Sequence, residues 1–177
     1  ATVARQENAF TGREAELASL RQMLAAAPDS GSNPVIYVCG EPGIGKSRLV
    51  REALAPWLAA GWHVFQITCD PLVREPLEAF RQIVRAAFYY NPLLPQTAGL
   101  AMFNALWREL AQGDAELLRV ESVLASLLGY ESEGSVWSML PPEEKPAQLT
   151  NALLAFIARL AAGQTVLIHV DDAQWLD

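Results

Sequence analysis

The sequence predicts an α/β domain, a three-layer sandwich in which helices cover both faces of a parallel sheet. Three short, mainly apolar runs are typical of strands buried on both faces of a sheet: Val35–Cys39, Trp62–Cys69 and Thr165–Val170. Between the first two runs, apolar residues repeat with helical period from about Lys46 to Leu58. Strand, helix and strand in this order predict a right-handed βαβ unit, and with it a parallel sheet.

Another helix is predicted near the start of the chain. Thr11 can cap it, and Glu14, three residues later, can reach back as the second half of a capping box. Residues 29–34 have the composition of a loop. Pro56 is expected to kink or end the helix that follows the first strand, because proline lacks the N–H that the helical ladder needs.

The second half of the chain is predicted to be helical before it returns to the sheet. From residue 76 to residue 144, helical segments punctuated by Pro and Gly predict a helical insertion within one domain spanning residues 1–177. An apolar stripe from Leu149 to Leu160 predicts one more helix, with Gly163 as its stop.

Composition limits the classes of function. The chain has 177 residues, 51% of them hydrophobic and 19% charged, which is typical of a folded protein. A net charge of −7 argues against direct nucleic-acid binding, because that needs clustered cations. Cys39 and Cys69 lie in apolar runs and are interpreted as buried thiols. With no signal peptide and no apolar run near the ~20 residues of a membrane span, we expect a cytoplasmic protein without a membrane partner.

A glycine-rich segment carries the most specific signal. Gly40–Ser47, here called the phosphate loop, matches G-x-x-x-x-G-K-[ST] in full. Glycines let backbone N–H groups turn toward phosphate oxygens, and the helix that follows directs its positive end at the same anion. We therefore expect a P-loop NTPase fold that binds ATP with Mg²⁺; the alternative is a glycine-rich turn without a ligand. The candidate nucleotide-binding residues here are Gly40, Glu41, Pro42, Gly43, Ile44, Gly45, Lys46, Ser47 and Arg48.

Lys46 is predicted to reach the β- and γ-phosphates and is a candidate catalytic residue, and the Ser47 hydroxyl is predicted to bind Mg²⁺. The third apolar run supplies the complementary acids. Asp171 is predicted to hold Mg²⁺, because it ends a buried strand after a phosphate loop. Asp172 is the second candidate catalytic residue, a general base or a carboxylate that orients water. The alternative for both acids is an ordinary carboxylate at a strand end.

Other polar residues carry weaker signals. Arg13 is either a nucleotide contact or a surface residue at a helix start. His63 and His169 are interpreted as packed histidines, since two histidines are too few to suggest a metal site.

With these motifs placed, the chain resembles the ATPase domain of signal-transduction ATPases with numerous domains (STAND). Within that group it is similar to the AAA-like domain of large LuxR-type transcriptional regulators and of multidomain class III adenylate or guanylate cyclases. Four stretches carry the resemblance: Phe10–Leu17, Gly40–Val50, Thr68–Pro71 and Val170–Asp177. The resemblance implies an ATP-dependent switch linked to other domains of a longer chain. It also implies that Gly12 and Arg13 lie near the adenine, and that Gln174 stands where the family often has His.

The resemblance further implies a sheet in which the second strand neighbours the third, and a fourth strand separates the third from the first. Because no fourth strand precedes Asp177, we expect a domain cut just after the strand that carries Asp171, the Walker B strand. We expect the resulting gap to close, either by direct pairing of the first and third strands or by self-association. Little or no ATP turnover is then expected from residues 1–177 alone.

Three functions compete at this point. The first is a regulatory ATPase switch. The second is a small-molecule kinase, which shares the phosphate loop but usually carries a lid with clustered Arg, whereas the Arg residues here are scattered. The third is a non-catalytic nucleotide-binding interaction module, which the intact Lys46, Ser47 and Asp171 disfavour.

Overall fold

The structure is a computed structural model that describes residues 11–28, 33–73 and 77–176. The chain divides into two compact units, one ending at Trp62 and one beginning at His63, and each is described by itself. The first unit contains helices α1 (Glu14–Ala26) and α2 (Lys46–Ala59). The elements of the second unit are β1 (His63–Thr68), α3 (Glu78–Ala87), α4 (Gln96–Ala111), α5 (Ala115–Arg119), α6 (Glu121–Leu127), α7 (Val136–Met139), α8 (Lys145–Ala161), β2 (Val166–Asp171) and a 3₁₀ turn (Ala173–Trp175).

Helix α1 begins later than the capping box predicts. Its N-cap is Arg13 rather than Thr11, and its first helical residue is Glu14. The Glu14 side chain still reaches back, because its Oε1 accepts the N–H of Gly12 at 2.9 Å. The carboxylate therefore satisfies a backbone donor at the helix start, but the cap lies two residues further along the chain than expected.

Helix α2 runs through Pro56 to Ala59, so the proline does not end the helix, and the expected kink stays a prediction. Proline has no N–H for the carbonyl four residues earlier, which belongs to Glu52. Arg21 of α1 supplies the missing donor, since its Nη2 lies 2.9 Å from the Glu52 carbonyl oxygen. The helix tolerates the proline because a side chain from its neighbour satisfies the carbonyl that the proline leaves without a helical donor.

The first predicted strand is absent. Residues 33–40 have no regular secondary structure, and Val35 and Tyr37 are 72% and 81% exposed. Cys39 is exposed as well, which corrects the expectation that its thiol is buried. A strand forms only by pairing, and no described residue pairs with this segment. Most of the predicted loop at residues 29–34 lies outside the described residues. The motif residues Phe10 and Asp177 also lie outside them.

The other two predicted strands form a parallel pair, as the resemblance implied. Phe65 of β1 lies opposite Ile168 of β2, and Ile67 lies opposite Val170. Phe65 and Ile67 are buried, whereas Gln66 between them is exposed. The sheet is therefore covered on one face of β1 rather than on both, and β2 is half-buried along most of its length.

The two edges of this sheet differ. At Thr68 of β1, the Gln82 amide accepts the backbone N–H and donates to the carbonyl oxygen, both at 3.0 Å, as a neighbouring strand would. The N–H groups of His63 and Cys69 donate to the carbonyl oxygens of Thr165 and Asp171. The even-numbered residues of β2 therefore direct their backbone groups to the opposite edge. The sheet can extend beyond β2, where the described part of the chain provides no further strand. Among the described residues, the first predicted strand does not pair with the third, which was one of the two expected ways to close the gap in the sheet. The other way, self-association, stays a prediction.

The helices of the second unit enclose an aromatic core. Phe88, Phe103, Trp107 and Phe156 are buried, with Phe88 and Phe103 ring centroids 4.7 Å apart. The predicted stripe on α8 is confirmed, because Leu149, Ala152, Leu153, Phe156 and Leu160 are all buried. Helices α3 to α7 occupy the chain between the strands. None of the described helices is long and apolar enough to cross a membrane.

Candidate functional site

The phosphate loop takes its shape from glycine. Gly43 and Gly45 have φ angles of 79° and 91°, in the left-handed region that residues with a Cβ rarely adopt. Gly45 is the N-cap of α2, and the helical ladder begins where the Leu49 N–H donates to its carbonyl oxygen at 3.0 Å. The positive end of a fourteen-residue helix therefore opens directly onto an exposed loop.

Lys46 folds back over this loop. Its Nζ donates to the carbonyl oxygens of Gly40 and Glu41, both at 3.1 Å. A Cβ on Gly40 would lie 3.3 Å from Cγ2 of Ile44 and 3.8 Å from Cδ of Lys46, so the loop closes around that position. An exposed turn with one ammonium group, glycine backbone and a helix N-terminus suits the phosphate chain of a nucleotide.

The structure brings Arg13 to the same loop across 31 positions of sequence. Its Nη1 donates to the carbonyl oxygen of Ile44 at 3.2 Å, and its Nε donates to Oε1 of Glu16 at 3.2 Å. Gly12 lies beside it, with its N–H on Glu14. Ser47 and Arg48 are half-buried in the first turn of α2. Ile44 is predicted only as one of the nucleotide-binding residues of the loop, and nothing in its spacing from Arg13 signals this contact.

Asp171 and Asp172 lie in the second unit, where β2 ends. Asp171 is the last strand residue, and its carbonyl oxygen accepts the N–H of Cys69 at 3.1 Å. The chain then turns sharply at Asp172, which has a φ of 54°. Gln174 holds the Asp172 carboxylate, because its Nε2 lies 3.1 Å from Oδ1. From the sequence, Gln174 stands out only as a departure from the family pattern, and nothing there predicts this contact.

The two histidines differ from expectation. His63 is exposed rather than packed, although its ring stacks on Phe65 at 5.5 Å between centroids. His169 is half-buried, and burial lowers its pKa while the nearby Asp171 acts in the opposite direction.

The candidate residues thus form two groups. Gly12, Arg13 and the phosphate loop belong to the first unit, and Asp171 and Asp172 belong to the second. A magnesium ion shared by Ser47 and Asp171 stays a prediction. A cavity of about 540 Å³ lies within the second unit, lined in part by Ile67, Val73, Phe80, Ile168, Val170 and Trp175, and none of the predicted site residues lines it.

Comparison with known proteins adds a family to this geometry. The family model described as AAA ATPase domain matches residues 9–177, nearly the whole chain. The chain belongs to this family. No curated protein matches it, and neither does any solved structure.

An AAA ATPase domain of the P-loop type binds nucleotide, and membership assigns nucleotide binding and ATPase function to this chain. Such domains generally bind ATP with Mg²⁺, which agrees with an exposed loop that places an ammonium group at the N-terminus of α2. The described two-stranded parallel sheet and its helices are consistent with a P-loop fold.

Proposed function

We propose that this AAA ATPase domain is an ATP-binding regulatory switch of a multidomain signalling protein. The observation that carries the proposal is the phosphate loop, in which two glycines with positive φ and the Lys46 ammonium group converge at the start of α2. Gly40–Ser47 would cradle the phosphates with Arg48 beside them, and Gly12 and Arg13 would lie near the adenine.

Ser47 and Asp171 are the residues that would hold Mg²⁺, through a hydroxyl and a carboxylate oxygen. Asp172 would accept a proton from water or orient it, with its carboxylate held by Gln174 at 3.1 Å. Bound ATP would supply the phosphoryl group, and bound Mg²⁺ would offset the negative charge of the phosphates. Lys46 would leave the carbonyl oxygens of Gly40 and Glu41, where it now lies, for the phosphates.

Titration with a fluorescent ATP analogue in the presence of Mg²⁺ tests the loop. Lys46→Ala should weaken binding by roughly tenfold to a hundredfold, because hydrogen bonds to charged groups contribute ~1.5–3 kcal/mol each. Lys145→Ala is the matched control. It removes the only other lysine, which lies over the Trp137 ring in the second unit. Equal affinities for Lys46→Ala and the unaltered protein would refute the proposed nucleotide site.

The acidic pair has a separate test. Asp171→Asn should reduce the dependence of ATP binding on Mg²⁺, since a neutral amide is a weaker ligand for a hard cation. Asp172→Asn should retain binding and lower any steady release of phosphate. Hydrolysis that is unchanged in Asp172→Asn would exclude the proposed role of that carboxylate.

The signalling context rests on the resemblance to large LuxR-type regulators and class III nucleotidyl cyclases. We extend the proposal to a cytoplasmic protein in which residues 76–144 form a helical insertion within the domain 1–177 and other domains are the partners. The helices between β1 and β2 support the insertion. The gene downstream of Asp177 tests the context: a cyclase domain or a helix-turn-helix would agree with it, and an Arg-rich lid would favour a kinase.

A further inference from the structure

Arg13 links the start of α1 to the middle of the phosphate loop. Its guanidinium group donates through Nη1 to the Ile44 carbonyl oxygen and through Nε to Glu16, each at 3.2 Å. The Arg13 side chain is 23% exposed, and its hydrogen bond to Ile44 lies at the exposed surface. A planar guanidinium can serve two acceptors at once, which a lysine at this position could not do with the same geometry.

The hydrogen bond to the Ile44 carbonyl also restrains the Gly45 N–H, which belongs to the same peptide group. A trans peptide is planar, and its C=O and N–H point in opposite directions. Holding the Ile44 carbonyl on Arg13 therefore fixes the direction of the Gly45 N–H. Gly45 has a φ of 91°, and Gly43 precedes Ile44, so glycine flexibility would otherwise leave this peptide weakly restrained.

The support for Arg13 is itself ordered. Backbone hydrogen bonding and the Arg13 side chain lower the pKa of Glu16, whose carboxylate is ionised at neutral pH. Glu14 accepts the N–H of Gly12, and this contact is the main reason why its pKa is lowered. The helix start on which Arg13 sits is therefore held by two carboxylates before any ligand arrives.

We infer that Arg13 is a positioning residue for the phosphate loop, which acts through the Ile44 carbonyl to aim the Gly45 N–H at a triphosphate. This inference rests on the proposed nucleotide site and deepens it. It differs from the adenine contact that the resemblance implies, because a residue that positions the loop serves the phosphates whether or not a base is attached.

ATP and inorganic tripolyphosphate distinguish a residue that positions the loop from one that contacts the adenine, because only ATP carries the base. The affinity for each ligand is measured with Mg²⁺ by displacement of a fluorescent ATP analogue. Arg13→Ala should weaken both by the same factor, about tenfold, which is the size expected for one hydrogen bond to a charged group. Glu16→Gln should weaken both by less, since its amide oxygen can still accept from Arg13. Weaker ATP binding with unchanged tripolyphosphate binding would overturn the inference in favour of an adenine contact.

Arg21→Ala is the matched control. Arg21 also lies on α1 and also donates to a backbone carbonyl of the same unit, that of Glu52, outside the loop. Its removal should lower stability and leave both ligand affinities within about twofold of the unaltered protein. Similar losses of affinity in Arg13→Ala and Arg21→Ala would mean a general structural effect and would overturn the inference.

Hydrogen exchange in the absence of nucleotide gives a readout that does not require binding. The Ile44 amide, which donates to the Glu41 carbonyl oxygen at 3.4 Å, should exchange faster in Arg13→Ala than in the unaltered protein or in Arg21→Ala. Unchanged exchange in this loop would overturn the inference even if ATP binds. Failure of the unaltered protein to bind ATP would instead count against the proposed function, and exchange would still decide whether Arg13 orders the loop.

Discussion

Different interactions stabilise each of the two units of the molecule. In the first, cationic side chains reach backbone carbonyl oxygens: Arg13 that of Ile44, Arg21 that of Glu52, and Lys46 that of Gly40. Its buried apolar residues, among those that the structure describes, are Leu20, Leu24, Leu49, Ala53 and Leu54. In the second, a much larger apolar cluster surrounds Phe88, Phe103, Trp107 and Phe156. Local loop geometry thus depends on a few polar bonds, and the helical part depends on packing.

This contrast predicts where large and small effects of substitution will fall. Removing a buried aromatic ring costs about 3–5 kcal/mol, whereas one hydrogen bond from a charged group contributes about 1.5–3 kcal/mol. Substitutions in the core of the second unit should therefore dominate stability. Substitutions of the cationic side chains in the first unit should alter stability less and alter the loop more.

The largest expected effect is the loss of Phe156 at the centre of the aromatic core. Its side chain is fully buried, at 0% exposure, and its ring lies 5.6 Å from that of Phe88. Phe156→Ala should lower the free energy of unfolding by about 3–5 kcal/mol, through lost burial and the cavity left behind. Urea denaturation followed by circular dichroism measures this change.

Leu154→Ala is the control for that prediction, because Leu154 lies on the same helix and is 62% exposed. It should change stability by less than about 0.5 kcal/mol. Equal effects of the two substitutions would contradict the account of the second unit as one held by packing.

A smaller effect is expected at Gly99 in α4. A Cβ there would overlap the Tyr130 hydroxyl and lie 2.8 Å from its Cζ, so alanine would force the ring aside. Gly99→Ala should destabilise by about 1–3 kcal/mol from overpacking, partly offset by the better helix propensity of alanine. In a Tyr130→Ala background the same substitution should become neutral or stabilising. Destabilisation that persists without the ring would exclude the steric explanation.

The sequence predicted local features well and non-local ones poorly. The phosphate loop could be predicted because Gly43, Gly45 and Lys46 determine its shape from within eight residues. The apolar run Val35–Cys39 was predicted as a strand on composition, but a strand also needs a neighbour, and hydrophobicity does not reveal whether one is present. The parallel pairing of β1 and β2 followed from the family resemblance, because periodicity alone does not define which strands are neighbours.

Contacts between distant parts of the chain explain the other corrections. Pro56 lies within α2 because Arg21, far away in sequence, donates to the carbonyl of Glu52. The Arg13 contact with Ile44 likewise joins residues 31 positions apart. Periodicity and motifs do not predict which backbone carbonyl a long cationic side chain will contact, because that depends on how α1 packs.

A double-mutant cycle sharpens the account of the first unit. Arg21→Ala should cost about 1–3 kcal/mol, because it leaves the Glu52 carbonyl without the donor that replaces the missing proline N–H. Pro56→Ala restores a helical N–H to that carbonyl, so Arg21→Ala should cost about 1 kcal/mol less in that background. Thermal or urea unfolding of the four proteins gives the coupling energy. Strictly additive effects would contradict the compensation of Pro56 by Arg21.

The smallest expected effect is a pH dependence at His169, a polar group within the unit that packing dominates. Burial is the main cause that lowers its pKa below the usual 6.5, with Asp171 opposing it. The unfolded chain therefore binds this proton more readily than the folded chain, so stability should fall as pH drops below about 6.5 and level off below the folded pKa. The fall should be small because the ring is only half-buried. NMR titration of the His169 ring without Mg²⁺ or nucleotide measures its pKa directly, and urea unfolding of His169→Gln should show a weaker loss of stability over the same range. A ring that titrates at or above 6.5 would mean that the Asp171 carboxylate outweighs desolvation, and that charge rather than packing governs the end of β2.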